Sequence, residues 1–132
     1  MDSNEMVRVA GFFLCSDDVH FIKLGDELPN YQSKIREAAY KYVKNWEVAI
    51  DVGGHVGIFS RAFSGKFAKV YTFEPMPNNR MCLEKNVPSN VIVYPYGLGG
   101  MQGFANMRYN KKNSGGSEVI DPSNIMPTKS NM

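Results

Sequence analysis

The sequence predicts an α/β fold in which parallel strands alternate with crossover helices, on three grounds. A first apolar run ends at an acid, Asp51, and the glycines Gly53 and Gly57 then lead into a helix-like segment. A second apolar run, Lys69–Phe73, ends at another acid, Glu74. The 23 positions between the two acids fit one crossover helix and a second strand. This pattern is typical of a Rossmann-like strand–loop–helix–strand unit.

Residues 1–29 are predicted to form an N-terminal hairpin extension. Val7–Leu14 is apolar and rich in β-forming residues, and Val19–Lys23 is a second short run, so the two runs are expected to pair. After a turn at Asp26–Asn30, with Asn30 as the N-cap, residues 31–45 have the periodicity of an amphipathic helix. Its side chains expected to face the sheet are Ile35, Ala38, Ala39, Tyr42 and Val43.

Residues 30–100 are predicted to form a βαβαβ core. The expected elements are the strands Val48–Val52, Lys69–Phe73 and Val91–Tyr94, and helices from Gly57 to about Phe67 and over Pro77–Asn86. Residues 101–121 are expected to hold an edge strand, Phe104–Tyr109, and a Gly/Ser loop. Residues 122–132 are expected to be extended or disordered, because they hold two prolines and no sustained apolar pattern.

The spelling of the glycine loop favours S-adenosylmethionine over a dinucleotide. A Gly-x-Gly-x-x-Gly fingerprint needs its first glycine where this chain has either Val52 or Asp51. A carboxylate at that point repels a pyrophosphate, whereas it suits the cationic amino-acid tail of S-adenosylmethionine. Glu74 directly follows a predicted buried strand, where an acid is costly without a partner, and the ribose hydroxyls are the expected partner.

These motifs resemble those of FkbM-type S-adenosylmethionine-dependent methyltransferases. The glycine loop is similar to the family's Asp-Val-Gly-Ala-Asn-x-Gly, and the segment after the second strand is similar to its Phe-Glu-Pro. Later segments are similar to its Leu-x-x-Asn, to a small-residue turn and to a Gly/Ser-rich loop. The matching segments are Asp51–Gly57, Phe73–Pro75, Leu83 with Asn86, Tyr96–Gly99 and Lys112–Ser117. The resemblance covers roughly residues 35–120 and implies a class I methyltransferase fold.

The chain departs from that family in two respects. His55 stands where the family usually has Asn, and the family's next landmark, a strand reading like Lys-Ile-Asp-x-Glu-Gly, does not occur before Met132. A complete doubly wound sheet needs on the order of 200 residues. We therefore expect a truncated, cofactor-binding portion of the fold, incomplete at its C-terminal side. Its first strand would then have an exposed edge, which predicts self-association or a partner chain.

The residue pattern and the resemblance together predict a cofactor site without an identifiable catalytic base. His55 is expected either to line the methionine end of the site or to face solvent. Tyr96 is expected either to pack against the adenine or to fill the edge of the sheet. No cluster with metal-ligand spacing occurs. The predicted cofactor-binding residues are Asp51, Gly53, Gly54, His55, Gly57, Phe73, Glu74, Pro75, Tyr96 and Gly97.

Composition narrows the function classes further. A net charge of +2 and 21% charged residues do not indicate nucleic-acid binding, for which a clustered basic face is expected, and no membrane-length apolar run or basic leader is visible. Cys15 and Cys82 lack metal spacing and are expected to be reduced core thiols of a cytoplasmic protein, with a disulfide between them as the alternative.

Three functions remain open. By resemblance, the chain is an O-methyltransferase acting on a sugar or another small hydroxylated acceptor, active only when completed by another chain. It is otherwise a non-catalytic binding or structural module of the same fold. The third candidate, a different Rossmann-like nucleotide enzyme, is disfavoured by Asp51.

Overall fold

The computed structural model describes residues 5–120 and the backbone of 126–127. This part of the chain is a mixed α/β domain built on a parallel three-stranded sheet. Two short 3-10 helices, Gly25–Asn30 and Ser114–Gly116, lie in the connections. The other elements are β1 (Met6–Val9), β2 (Phe12–Cys15), α1 (Val19–Ile22), α2 (Ser33–Tyr40), β3 (Val48–Val52), α3 (Ile58–Ser64), β4 (Lys69–Phe73), α4 (Pro77–Asn86), β5 (Val91–Tyr94), β6 (Gly103–Phe104), β7 (Met107–Arg108), β8 (Glu118–Val119) and β9 (Met126–Pro127).

The predicted alternation of strands and helices is confirmed in the middle of the chain. The strand order is β3-β4-β5, and both neighbouring pairs are parallel. All three strands and α4 have the predicted bounds. The crossover helix α3 ends at Ser64 with Gly65 as its C-cap, because glycine terminates the helix before the apolar pattern does.

The N-terminal hairpin exists, but its predicted strands are wrong. The first apolar run, predicted as one strand over Val7–Leu14, is divided between β1 and β2. Ala10 and Gly11 form a two-residue turn between them, in which both φ angles are positive, at 49° and 83°. Such a turn matches the twist of paired strands, so the chain reverses there. The run Val19–Lys23 is not a strand, since it contains the helix α1.

Helix α2 is shorter than predicted and buries a different face. It begins at Ser33 and ends at Tyr40, and Asn30 provides no cap. The apolar side chain of Ile35 is 59% exposed, whereas Arg36 is only 6% exposed. The guanidinium of Arg36 donates to two backbone carbonyls of the preceding segment, and these bonds compensate for its burial. The prediction that the apolar stripe of this helix faces the sheet is therefore wrong.

The hairpin packs against α4, and the main core lies between the N-terminal extension and the loop after β3. Its buried members are Phe12, Leu14, Cys15, Phe21, Leu28, Val56, Ile58 and Cys82. The N-terminal extension is thus part of the same packed body as the glycine loop, and it is placed to form a wall of any site there.

One face of the parallel sheet is uncovered among the described residues. On β3, at the edge of the sheet, Val48, Ile50 and Val52 are 50%, 63% and 60% exposed. On the same face, the rings of Phe73 and Tyr94 stack with centroids 5.0 Å apart. Parallel sheets are ordinarily covered on both faces, so this apolar face stands out. We call it the uncovered sheet face.

Beyond β5 the structure is made of short pairings. The predicted edge strand over Phe104–Tyr109 is replaced by β6 and β7, which pair with β9 and β8 respectively. The extended or disordered tail predicted for 122–132 lies outside the described residues, apart from the backbone of 126–127. Within the described part of the chain, no helix has the length and apolarity needed to cross a membrane.

Candidate functional site

The glycine loop is held against the carboxyl end of β4 by backbone hydrogen bonds. The N–H groups of Gly53 and Gly54 both donate to the carbonyl of Phe73, each at 2.9 Å. The N–H of Gly57 donates to the carbonyl of Gly54, also at 2.9 Å. The loop between β3 and α3 is therefore fixed beside the next strand.

The three loop glycines have different structural roles. A Cβ on Gly54 would collide with Thr72 Oγ1, and one on Gly57 would lie 2.9 Å from a methyl of Leu83. These two glycines are required for packing of the loop. At Gly53, where φ is +82°, a Cβ would meet nothing within 4 Å. Gly53 therefore faces open space, where a ligand can approach the backbone.

His55 has a positive φ of 54°, in the left-handed region. Among residues with a side chain, Asn, Asp and His are enriched in this region. The His of this chain is therefore compatible with the left-handed backbone at this position. It places an imidazole in the glycine loop.

Glu74 is buried, at 5% exposure, and joins the loop to the start of α4. Its Oε1 accepts the N–H of His55 and its Oε2 accepts the N–H of Met76, both at 2.8 Å. A carboxylate has about four lone-pair positions, so each oxygen can still accept a further hydrogen bond. Burial raises the pKa of Glu74, and the two N–H groups oppose that rise.

Asp51 lies at the end of β3, where its Oδ2 accepts a hydrogen bond from Ser60 Oγ at 2.6 Å. Burial raises the pKa of Asp51, and the Ser60 hydroxyl opposes the rise. A cationic ligand beside either Asp51 or Glu74 would therefore relieve an existing desolvation cost.

Three cavities follow one another along the carboxyl ends of β3, β4 and β5. The Asp51 cavity has a volume of about 350 Å³ and is lined by Phe21, Tyr31, Gln32, Asp51, Val52, Gly53, Gly54, His55, Ile58, Phe59 and Gly115. The Glu74 cavity has a volume of about 170 Å³ and is lined by Gly53, His55, Glu74, Pro75, Asn79, Met107, Ser114, Gly115 and Ser117. The Tyr96 cavity, of about 320 Å³, is mainly apolar and includes Pro75, Tyr96, Gly97, Leu98, Phe104 and Met107.

Neighbouring cavities share wall residues, so they lie side by side. The Asp51 and Glu74 cavities share Gly53, His55 and Gly115. The Glu74 and Tyr96 cavities share Pro75 and Met107. The residues that line the Asp51 and Glu74 cavities include no Lys or Arg. The first two cavities therefore have acidic walls that contain neither Lys nor Arg.

Eight of the ten predicted cofactor-binding residues line these cavities. Asp51, Gly53, Gly54 and His55 line the first, Gly53, His55, Glu74 and Pro75 line the second, and Pro75, Tyr96 and Gly97 line the third. The other two, Gly57 and Phe73, line none of the three.

Those two residues contribute to the loop instead. Gly57 packs against α4, as its contact with Leu83 shows. Phe73 contributes its carbonyl to the glycine loop, while its ring lies on the uncovered sheet face, stacked on Tyr94.

Several wall residues were not predicted from the sequence. Phe21 comes from the N-terminal extension, whose wrongly predicted strands gave no reason to place it here. Tyr31 lies just before α2, in the segment predicted to pack on the sheet as the start of that helix. Asn79 and Ser114 line the Glu74 cavity. Ser114 lies within the Gly/Ser loop that resembles the family's, which was the available signal, whereas Asn79 sits in an ordinary helical pattern.

Asn79 has a buried Oδ1 atom with no hydrogen-bond partner among the described residues. Its amide nitrogen donates to the carbonyl of Ser114 at 3.3 Å, which fixes the orientation of the side chain. A buried acceptor without a donor is costly, so this atom is suited to a ligand hydroxyl or amine in the Glu74 cavity.

Comparison with known proteins gives no match to a protein family, to a curated protein or to a solved structure. Assignment of a function therefore depends on the geometry and chemistry of the cavities.

Proposed function

We propose that this chain binds S-adenosylmethionine and belongs to a methyltransferase that acts on a small hydroxylated acceptor, such as a sugar. The observation that carries the proposal is the order of the three cavities. An acid comes first, a second acid follows, and an apolar aromatic cavity comes last. S-adenosylmethionine has its groups in the same order: a cationic amino-acid tail, a ribose diol and an adenine.

The residues of the first two cavities fit this ligand. Asp51 would hold the ammonium of the methionine part, and Gly53 leaves room for close approach of the ligand to the backbone. Glu74 would accept the ribose hydroxyls on its remaining lone pairs, and Asn79 Oδ1 would gain the donor that it lacks among the described residues. When bound, S-adenosylmethionine supplies an activated methyl group on a sulfonium.

The charge of the walls supports this ligand over a dinucleotide. Pyrophosphate binding uses backbone N–H groups and positive charge. Here the N–H groups of Gly53 and Gly54 are already bonded to the Phe73 carbonyl, and that of His55 is bonded to Glu74. A phosphate would meet two carboxylates and neither Lys nor Arg in these cavities.

The test of the site is calorimetric titration of S-adenosylmethionine against a set of charge-neutralising variants. Glu74→Gln and Asp51→Asn should each weaken binding by roughly 1–3 kcal/mol, or about 5- to 150-fold, because each removes a charged hydrogen bond. The control is Glu84→Gln, the same change at an exposed position of α4. Equal affinities of the Glu74, Asp51 and Glu84 variants in folded protein would contradict the proposed site.

The uncovered sheet face favours a second element of the proposal, a dimer of this chain. β3 supplies aliphatic side chains to one half of the face, and β4 and β5 supply the aromatic rings of Phe73 and Tyr94 to the other half. Tyr96, two residues beyond the end of β5, lies beside Tyr94. A two-fold axis parallel to the strands would set the aliphatic half of one copy on the aromatic half of the other. The exposed apolar area is on the order of several hundred Å², comparable with the contribution of one partner to a stable interface.

The same observation favours the alternative function, a non-catalytic binding module of this fold. In that case the uncovered sheet face would bind its partner while the cavities bind no S-adenosylmethionine. Titration of the folded chain with S-adenosylmethionine distinguishes these functions.

We further propose a cytoplasmic location. Cys15 and Cys82 are free, buried thiols whose sulfur atoms lie 3.9 Å apart. Two thiols this close stay reduced most readily in a reducing compartment.

A further inference from the structure

A hydrogen-bond chain links the glycine loop to the N-terminal extension inside the proposed site. His55 Nε2 lies 2.5 Å from Ser114 Oγ, and that hydroxyl is hydrogen-bonded to Asp18 Oδ2. The backbone N–H of Ser114 donates to Asp18 Oδ1 at 3.1 Å. Asp18 and Ser114 are 0% and 1% exposed, so water does not compete for these bonds. The three side chains form a buried carboxylate–hydroxyl–imidazole series.

The direction of the hydrogen bonds fixes the tautomer of His55. An ionised carboxylate can only accept, so the Ser114 hydroxyl donates its proton to Asp18. That hydroxyl has only lone pairs left for the imidazole, and Nε2 of His55 must therefore be the protonated nitrogen. Nδ1 then carries the free lone pair, and no hydrogen bond of the described residues uses it.

His55 lies where a methyl donor and its acceptor would meet. It lines both the Asp51 and the Glu74 cavities, which are suited to the methionine and ribose parts of the ligand. The sulfonium joins those two parts, so it belongs where the cavities meet. The other shared wall residues, Gly53 and Gly115, have no side chain that could accept a proton.

We propose that His55, Ser114 and Asp18 form a proton relay in which Nδ1 of His55 removes the proton from the acceptor hydroxyl. This inference rests on the proposed function. As the acceptor oxygen–methyl bond forms, the sulfur–methyl bond breaks and its electron pair returns to sulfur. The hydroxyl proton passes to Nδ1, the Nε2 proton passes to Ser114 Oγ, and the Ser114 proton passes to Asp18. His55 ends neutral in its other tautomer, and Asp18 ends protonated.

The pKa shifts agree with a proton that ends on Asp18. Burial lowers the pKa of His55 to about 4, and the charge of His20 adds to this effect. Burial raises the pKa of Asp18, and its hydrogen bonds from Ser114 oppose the rise. Burial thus disfavours a persistent imidazolium at His55, and it makes protonation of Asp18 easier than for an exposed carboxylate. His55 alone would be a weak base, and the relay removes the need for it to stay charged.

The first test is the tautomer of His55 in the free protein, read from long-range proton–nitrogen NMR spectra. The chain has two histidines, so a His20→Gln variant assigns the signals. At neutral pH, Nε2 should be protonated and Nδ1 unprotonated. A proton on Nδ1 would overturn the relay whether or not the chain binds S-adenosylmethionine.

Asp18→Asn gives a sharper version of this test. The new amide would donate to Ser114 Oγ, so the hydroxyl would turn and donate to Nε2 of His55, which must then lose its proton. The tautomer should switch to protonated Nδ1 in this variant. An unchanged tautomer in folded Asp18→Asn protein would contradict the relay. If the variant does not fold, the tautomer of His55 in the wild-type protein still supports or overturns the relay.

The second test separates the relay from the proposed function. Sinefungin carries an amine on a carbon in place of the methylated sulfur, whereas S-adenosylhomocysteine carries nothing at that point. Sinefungin should shift the Nδ1 signal of His55, and S-adenosylhomocysteine should shift it much less. Binding of both ligands with equal Nδ1 shifts would overturn the relay alone. Failure of both ligands to bind in calorimetry would overturn the proposed function, and with it the role assigned to Nδ1.

Discussion

Asn86 should be one of the most sensitive polar positions in the chain, because it fastens three segments together. It ends α4 and is only 5% exposed. Its Oδ1 accepts the N–H of Phe13 at 2.7 Å, and its Nδ2 donates to the carbonyls of Phe13 and Val56 at 2.9 and 2.8 Å. These bonds fix the hairpin and the glycine loop to the same helix end.

Asn86→Ala removes all three bonds at once. At about 1 kcal/mol for each bond, the free energy of unfolding should fall by about 3 kcal/mol. That is a large share of the roughly 5–15 kcal/mol that keeps a domain folded. The midpoint of thermal unfolding should fall by about 10 °C, measured by circular dichroism.

The matched control is Asn78→Ala, which makes the same chemical change in the same helix. Asn78 is half-buried, and its side chain makes no hydrogen bond with the described residues. The control should change the midpoint by no more than a few degrees, since Ala is also the better helix former. Equal losses in the two variants would refute the assignment of stability to the Asn86 bonds.

Three further predictions concern stability and association. Gly54→Ala should prevent or severely impair folding, because its Cβ would collide with the buried side chain of Thr72. Gly53→Ala should lower the free energy of unfolding, measured by chemical denaturation, by about 1–2 kcal/mol, and its main effect should be weaker ligand binding. Above pH 6.5, the ordinary pKa of His in the unfolded chain, His55 is neutral in both the folded and the unfolded state. As the pH falls from 6.5 towards the folded pKa of about 4, the unfolded chain takes up a proton that the folded protein does not, so the free energy of unfolding should fall by roughly 3 kcal/mol. The stability difference between wild type and His55→Asn should therefore shrink over that pH range, and parallel curves would contradict it. In analytical ultracentrifugation, Ile50→Lys should convert the dimer to a monomer. Ile35→Lys, which makes the same change at an exposed position of α2, should leave the dimer intact. Dimers in both variants would contradict the proposed interface.

The parallel core could be predicted from the sequence because its signals are local. β3, β4 and β5 are short apolar runs bounded by polar or turn residues, and α4 begins with Pro77 at its first position. The two acids lie at the ends of consecutive parallel strands, so the sequence alone was enough to assign Asp51 and Glu74 to one edge of the sheet.

Other features could not be predicted, because they depend on contacts between distant residues. Asp18 and Ser114 are 96 positions apart, and nothing in the local pattern of either one indicates the other. Arg36 is buried because backbone carbonyls of the preceding segment accept its protons, which overrides the apolar stripe of α2. His55 had two open interpretations, and the structure places it in the walls of two cavities.

The most direct measurement is a paired calorimetric titration of the folded wild-type chain with S-adenosylmethionine and with NAD. Acidic walls without Lys or Arg predict binding of S-adenosylmethionine at one site per chain and no measurable binding of NAD. Binding of NAD with equal or higher affinity would contradict the assignment of the cavities. Absence of S-adenosylmethionine binding by a folded chain would contradict the proposed function itself.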